Sequence, residues 1–382
     1  MQFRNALICM ATGVLSSLTA YAADTFVQET FTVKKSIDAG PNAYLIDQNW
    51  YGVSQINVMS SDGFVQKGNL TTGLNAQFVL SRDHKTAYTM SVYLKRIVSG
   101  PLEAVLQEFD VSTLSLRREI AISPKMVLGS PQISHLQLSA DERYAFVQNA
   151  TPATSVSVVD LKHGKMLVEV PTPGCYGIYP APQGARFSSL CGNGTMTSYS
   201  FNEDGSVIKP VKSEKIFNAD VDPLYTHAVR ASHDWVFSSY NGSLYRVSDA
   251  TEVARLTDKF SFTEGLAGKW GPGGIALMAY NEANSILFIN MHPNAKNGSH
   301  KEPGKEVWAI NLNTKKILSR SAINESSSLA VTQGIKPVLF SVDDVKAVLR
   351  KYDIDSTSDF SIKFVSEFQA KGDYTYLVWV DN

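Results

Sequence analysis

The sequence is poor in what most function classes need. It has three cysteines in 382 residues, too few for a disulfide scaffold or a cysteine-rich structural zinc cluster. Charge is sparse and balanced, 35 Lys+Arg against 36 Asp+Glu for a net −1. That excludes nucleic acid or an anionic membrane surface as the main partner. Beyond the N-terminus there is no long apolar run, so no spanning helix is predicted. Amphipathic helical stretches are scarce, and no G-x-S-x-G, Walker loop, H-E-x-x-H or Rossmann glycine set occurs. What is abundant is hydrophobic residues at 44% and aromatics at 10%, with 16 Tyr and 18 Phe. That composition excludes disorder and favours strands. Length admits two medium domains or one large repeat array.

The N-terminus predicts export. Arg4 supplies a positive n-region, Ala6 to Leu18 an apolar h-region, and Ala20-Tyr21-Ala22 an A-x-A cleavage site. The apolar stretch is short of the roughly 20 residues that span a bilayer. Residues 1–22 are therefore expected to be a cleavable signal peptide and 23–382 the mature domain, in the periplasm. Cleavage removes Cys9 and leaves Cys175 and Cys191 in an oxidising compartment. The two most simply form one disulfide, two buried thiols being the alternative. Asn193-Gly194 after Cys191 marks a hairpin turn, so the bridge would staple neighbouring strands.

The rest reads as short strands punctuated by Gly, Asn, Asp and Ser. Examples are Tyr44 to Ile46, Thr86 to Tyr93, Tyr144 to Gln148, Trp235 to Tyr240, Ile286 to Met291 and Val307 to Leu312. Asn241-Gly242 sits between two of them as a hairpin turn. Val342 to Lys351 has helical spacing, but Asp343-Asp344 favours a hairpin there. One pattern recurs: an apolar strand, an Asp or Asn, a short polar turn, another strand. Its markers fall at positions 57, 110, 160, 201, 247, 311 and 353. Leu80-Ser81-Arg82-Asp83 and Leu138-Ser139-Ala140-Asp141 form a second, in-phase marker. A period of about 40 to 50 residues built of short strands means a β-propeller. Seven markers predict an all-β, seven-bladed β-propeller of about 51 residues per blade.

Chemistry-bearing clusters are few. His292 and His300 flank a polar loop, Met291 to Lys301; as metal ligands they would need further donors, and they read more simply as well-placed loop histidines. His227 and His233 lie near Asp220, Asp222 and Asp234, more simply read as strand-end polar residues than as a hydrolytic metal site. Of five tryptophans, Trp235, Trp270, Trp308 and Trp379 are expected to pack between blades. Trp50-Tyr51 stands apart, on a predicted loop after Asp47-Gln48-Asn49. It reads equally as a binding group or as a rim contact within the fold.

Several segments together resemble a known family. They are Tyr93-Leu94-Lys95-Arg96-Ile97-Val98-Ser99-Gly100, and Gln148 to Ser155 running into Val158-Val159-Asp160. Further along come Gly174-Cys175 with Cys191-Gly192, then Trp270-Gly271-Pro272-Gly273-Gly274, then Met291-His292-Pro293, Gly298-Ser299-His300-Lys301 and Glu306-Val307-Trp308. In order and spacing, over about residues 30 to 375, they resemble the large (heavy) subunit of the quinoprotein amine dehydrogenases. The likeness is closer to aromatic amine dehydrogenase than to methylamine dehydrogenase.

That resemblance implies a periplasmic heterotetramer of two large and two small subunits. A disulfide-rich small subunit would carry the cofactor, tryptophan tryptophylquinone, leaving no catalytic, metal or cofactor-binding residue in this chain. The implied reaction oxidises a primary, aromatic amine to an aldehyde with release of ammonia. A small-subunit carboxylate removes the α-proton, and electrons pass to an azurin- or amicyanin-like blue copper protein. The resemblance also implies that Cys175 and Cys191 pair, and that Trp50 stands where the family has a substrate-channel Phe, with Tyr51 beside it. Pro101 to Val105 departs from the family's charged pattern, and the presumed loop Leu70 to Phe78 carries no assignable contact.

Overall fold

A computed structural model describes residues 34–97 and 99–381. The predicted signal segment lies outside them. Residues Ser36–Asn382 form one folded unit of seven antiparallel sheets, the blades of a β-propeller. Blade 1 joins Tyr374–Val380 to Asn42–Gln48, Ser54–Ser60 and Gln66–Thr72. The C-terminal strand thus closes the ring on the N-terminal one, with Ala43 opposite Val380 and Tyr44 opposite Trp379. Blades 2 to 5 follow in chain order, opening with strands Leu74–Leu80, Leu136–Leu138, Cys175–Pro180 and Leu224–Ala231. In blade 6 the first strand is split into Trp270–Pro272 and Met278–Asn281, both paired with Ile286–Pro293. Blade 7 opens with Ser328–Val331.

Second and third strands are flanked on both faces by neighbouring blades, so they read as nearly unbroken buried runs. Tyr144–Asn149 and Ser155–Asp160 are buried throughout. Fourth strands are edges, and their alternation exposes charge, as in Ile362–Gln369 and Arg255–Ser261. Charged edges resist pairing with a second molecule. The core is accordingly divided: seven apolar clusters, one per blade interface, among the described residues. Phe146 and Phe187 meet across blades 3 and 4, and Tyr179 and Phe237 across blades 4 and 5. Each such ring contributes about 1.5–3 kcal/mol by leaving water.

Every marker position lies in the third strand of its blade or one residue past it. Asp110, Asp160 and Asn311 end Ser99–Asp110, Ser155–Asp160 and Gly304–Asn311. Asn57, Val247 and Asp353 lie within Ser54–Ser60, Ser243–Ser248 and Val348–Ile354, and Phe201 follows Met196–Ser200. The polar residue at the strand end closes the turn. Asp110 Oδ1 accepts from Thr113 N, and Asn311 Oδ1 from Thr314 N. Val342 to Lys351 is a hairpin, with strands Val338–Asp343 and Val348–Ile354. The stretch Leu70 to Phe78 is not a loop. It is two strands, Gln66–Thr72 and Leu74–Leu80, joined at Gly73. A Cβ there would meet Val92 O at 2.4 Å, so the crossing between blades needs no longer connection.

The antiparallel blades give the ring two rims. On the turn rim lie the marker turns. On the loop rim lie Asn49 to Val53, the disulfide, and the connections from each blade to the next.

Candidate functional site

Asn49 shapes the loop that carries Trp50. Its Oδ1 accepts from Tyr51 N (2.8 Å) and Gly52 N (2.7 Å), and its Nδ2 donates to Asp373 Oδ2 at 2.6 Å. The loop is thereby fastened to the segment before the closing strand. Trp50 is half-buried and meets Tyr374 edge-on at 6.4 Å. Tyr374 in turn stacks on Tyr376 at 6.1 Å. Tyr51 points away, 86% exposed and without a ring contact. Beneath the loop, Asp47 Oδ1 accepts from Tyr374 N at 3.2 Å. Burial raises the Asp47 carboxyl above the ordinary carboxylate range, against that hydrogen bond. Its carboxylate occupies the place a Cβ on Gly372 would take.

The corner Trp50–Tyr374–Tyr376 therefore draws on both ends of the chain. A cavity of about 570 Å³ adjoins it, lined by Asp47, Asn49, Gln55, Phe368 and Asp373 among others, but not by Trp50 or Tyr374. Sequence reasoning missed the two tyrosines. Their signal was the alternation Tyr374-Thr375-Tyr376 in a strand that only ring closure brings to Trp50.

It also missed a strap across the axis. Residues 129–135 leave blade 2 and touch four blades. Gly129 O accepts from Gln48 Nε2 (2.9 Å), and Gln132 N donates to Gln77 Oε1 (3.0 Å). Gln132 Oε1 accepts from Thr226 Oγ1 (2.9 Å), and His135 Nε2 lies 2.7 Å from Tyr176 Oη. Blades 1 and 2 are thus joined to blades 4 and 5 on the far side of the ring. Gly129-Ser130-Pro131 was a loop signal in the sequence, but nothing there gave its destination. Burial drives the His135 imidazole down to about 3, and His227 in the facing blade 5 strand down to about 4. Both are neutral near pH 7.

Cys175 and Cys191 are bonded, opposite one another in the first two strands of blade 4 with Cα atoms 3.9 Å apart. The suspected histidine clusters do not assemble. His227 is buried within Leu224–Ala231, while His233 sits at the turn-rim end of that strand. His292 is not on a loop but near the end of Ile286–Pro293, 2% exposed, with Nδ1 3.7 Å from Glu302. Among the described residues no group of three or more His, Cys, Asp or Glu is placed to hold a metal ion.

A quinone made from tryptophan needs two indoles in contact and an open face. Trp270 and Trp308 are 5.6 Å apart, but Trp308 is wholly buried and the Arg320 guanidinium covers both rings at 4.5 Å. With one indole wholly buried and a guanidinium over both rings, the pair does not fit such a group.

Known proteins share this architecture. The putative 6-phosphogluconolactonase of Bacteroides fragilis superposes with a TM-score of 0.62 at 10% identity, over 92% of this chain and 99% of that one. The β-propeller domain of Myceliophteria thermophila Cps50 (Swd1) does so with a TM-score of 0.50 at 10% identity, over 85% and 96%. At such identities these likenesses concern the fold alone. Sequence relatives are more specific. The methylamine dehydrogenase heavy chain of Methylobacillus flagellatus is 27% identical over 315 residues, 78% of this chain and 76% of that protein. That of Methylophilus methylotrophus is 23% identical over 317 residues, 81% and 77%. The family described as methylamine dehydrogenase heavy chain (MADH) matches residues 41–368, from the second strand of blade 1 into the last of blade 7, and the chain belongs to that family.

Proposed function

We propose that this large subunit of an amine dehydrogenase works in the periplasm as scaffold and channel wall for a small, disulfide-rich subunit. In this reading two large and two small subunits assemble. The small subunit carries tryptophan tryptophylquinone, which supplies the oxidising carbonyl for a primary amine, and electrons leave to a blue copper protein. The family match along the ring is the observation that carries this reading. Support for the cofactor lying on the partner comes from the Trp270–Trp308 pair, in which Trp308 is wholly buried and the Arg320 guanidinium covers both rings.

This chain's own contribution is positioning. Asn49 holds the loop, and Trp50, Tyr374 and Tyr376 present a fixed aromatic wall. A rigid wall orients an aryl group at low entropic cost and keeps water from the reacting end. An indole at position 50 also favours a flat ring over a single methyl group, which supports an aromatic amine as substrate.

The test is co-expression with the neighbouring small subunit. The expected product is a coloured complex with amine-dependent dye reduction. A lone, colourless, monomeric propeller from the native source would overturn the assignment. Within an active complex, Trp50→Ala is expected to change the ratio of kcat/KM for 2-phenylethylamine over methylamine by about tenfold. An unchanged ratio removes Trp50 from the channel and leaves the rest standing.

A further inference from the structure

The segment Trp270-Gly271-Pro272-Gly273-Gly274 has no part in the site above, yet its glycines are sterically required. A Cβ on Gly271 would meet the Ala295 Cβ at 2.7 Å, and one on Gly273 the Glu302 carbonyl at 2.3 Å. Close approach brings this split strand against the loop 294–303, where Ala295 N donates to Lys269 O at 2.8 Å. Between them the loop rim holds a cavity of about 670 Å³, within the range of small-molecule sites.

Its walls are aromatic. Tyr240 and His300 stack at 4.3 Å and 19°, and half-buried Trp270 also lines it. The Arg320 guanidinium and Trp308 fix the Trp270 ring from behind. Its charged groups are mainly cationic, Lys269 and Lys296 against Asp220. Among the described residues Lys269 and Lys296 have no ion-pair partner, and neither the Tyr240 hydroxyl nor the Trp270 indole N–H has an acceptor. Burial raises the Tyr240 hydroxyl, so it stays protonated. Burial and the neighbouring Lys301 lower the His300 imidazole. One exposed carboxylate, Asp220, stands on the lining against the two ammonium groups.

Planar walls with an excess of positive charge are complementary to a flat ring bearing an anion. An ammonium ion would meet ring faces, amide oxygens and Asp220, but also the like charges of Lys269 and Lys296. We propose that this cavity binds a small aryl carboxylate, its ring against Tyr240, His300 and Trp270 and its carboxylate toward Lys269 and Lys296. The lysines are flexible point charges, suited to a single carboxylate rather than to bidentate recognition.

Binding by the mature chain, alone or in its complex, tests this without any reading of amine oxidation. Calorimetric titration with phenylacetate is expected to show saturable binding. Affinity is expected to be at least about tenfold above that of neutral 2-phenylethanol, and to weaken with added salt. A Lys269→Ala/Lys296→Ala chain with unchanged circular dichroism is expected to lose about tenfold. Tyr240→Phe, which keeps the ring, is expected to lose a few-fold. No saturation up to about 10 mM phenylacetate, equal affinity for the alcohol, or full affinity in the double lysine variant would each overturn the proposal.

Discussion

The two rims of this ring are built on different rules. On the turn rim each blade hands polar groups to the next. Arg82 N donates to Glu142 Oε1 at 2.5 Å, and Ser232 N and Oγ both donate to Glu282 at 2.9 Å. Glu282 N donates to Gln333 Oε1 at 3.0 Å, and Lys351 Nζ to Asp62 O at 3.2 Å. Even its depression of about 460 Å³ is walled by engaged side chains, Arg82, Glu142, Arg230 and Trp235. On the loop rim the connections carry the strap, the Trp50 corner and the two larger cavities. Among the described residues, the buried atoms without a hydrogen bond include Gln48 Oε1, Asn75 Oδ1, Ser134 Oγ and His135 Nδ1 beside the strap, and Arg143 Nε, Arg186 Nε and Asp249 Oδ2 at the turn rim. One rim holds the ring together; the other leaves surface free for ligands and a partner subunit.

Acid should separate the rims most sharply. His135 and His227 stay neutral in the fold down to about 3 and 4, whereas unfolded histidine takes a proton below about 6.5. The unfolded state therefore binds more protons, and stability falls as pH drops from about 6.5 to 4, by up to roughly 3 kcal/mol per histidine. Turn-rim carboxylates lose stability in the same direction, but only at lower pH. The Ser112 hydroxyl and the Arg117 guanidinium hold Asp110 well below its ordinary range, and Ser81 does the same for Asp83. Their contributions are intact above about pH 4 and fade only below it. Hydrogen exchange at pH 7, 5.5 and 4.5 is expected to show protection lost first around residues 129–135 and Leu224–Ala231. Uniform loss across both rims would break the comparison.

Covalent and steric anchors of the loop rim come next. Gly274 has φ +119°, and a Cβ would meet Ser327 O at 2.4 Å. Gly274→Ala is expected to cost about 3–4 kcal/mol in denaturant unfolding, since backbone and not a side chain must move. Opening Cys175–Cys191 by a double Cys→Ser change is expected to cost about 3 kcal/mol, the value for a short closed loop.

The turn rim was legible in the sequence because its chemistry is local. Asp110 reaches Thr113 N, and Ser139 Oγ donates to Asp141 Oδ1 at 2.6 Å, all within a few residues. Such spacings recur in each blade, so strand order and blade number could be read from them. The loop rim depends on contacts distant in sequence. Asn49 meets Asp373, and Gln132 meets Thr226. No periodicity marks those pairs, so Trp50 could be singled out by resemblance while Tyr374 and the strap could not. His292 and His300 likewise meet different neighbours, Glu302 and Tyr240, and the placing of His292 on a strand rather than a loop was not legible from their spacing.

The smallest expected effect tests whether the repeated turn chemistry stabilises or merely recurs. Ser81 Oγ accepts from Thr86 N at 3.0 Å and donates to Asp83 at 2.7 Å, and Ser139 does the same with Tyr144 N and Asp141. Each serine supplies a partner to a backbone N–H that its strand would otherwise leave unpaired at the turn. Ser139→Ala is expected to cost about 1 kcal/mol, and the Ser81→Ala/Ser139→Ala pair about twice that, because the sites lie in different blades and share no partner. Amine turnover should not change, since neither turn lies on the loop rim. A double variant as stable as the parent would mean that water replaces the hydroxyls, and that interblade bonds such as Ser232–Glu282 hold this rim by themselves.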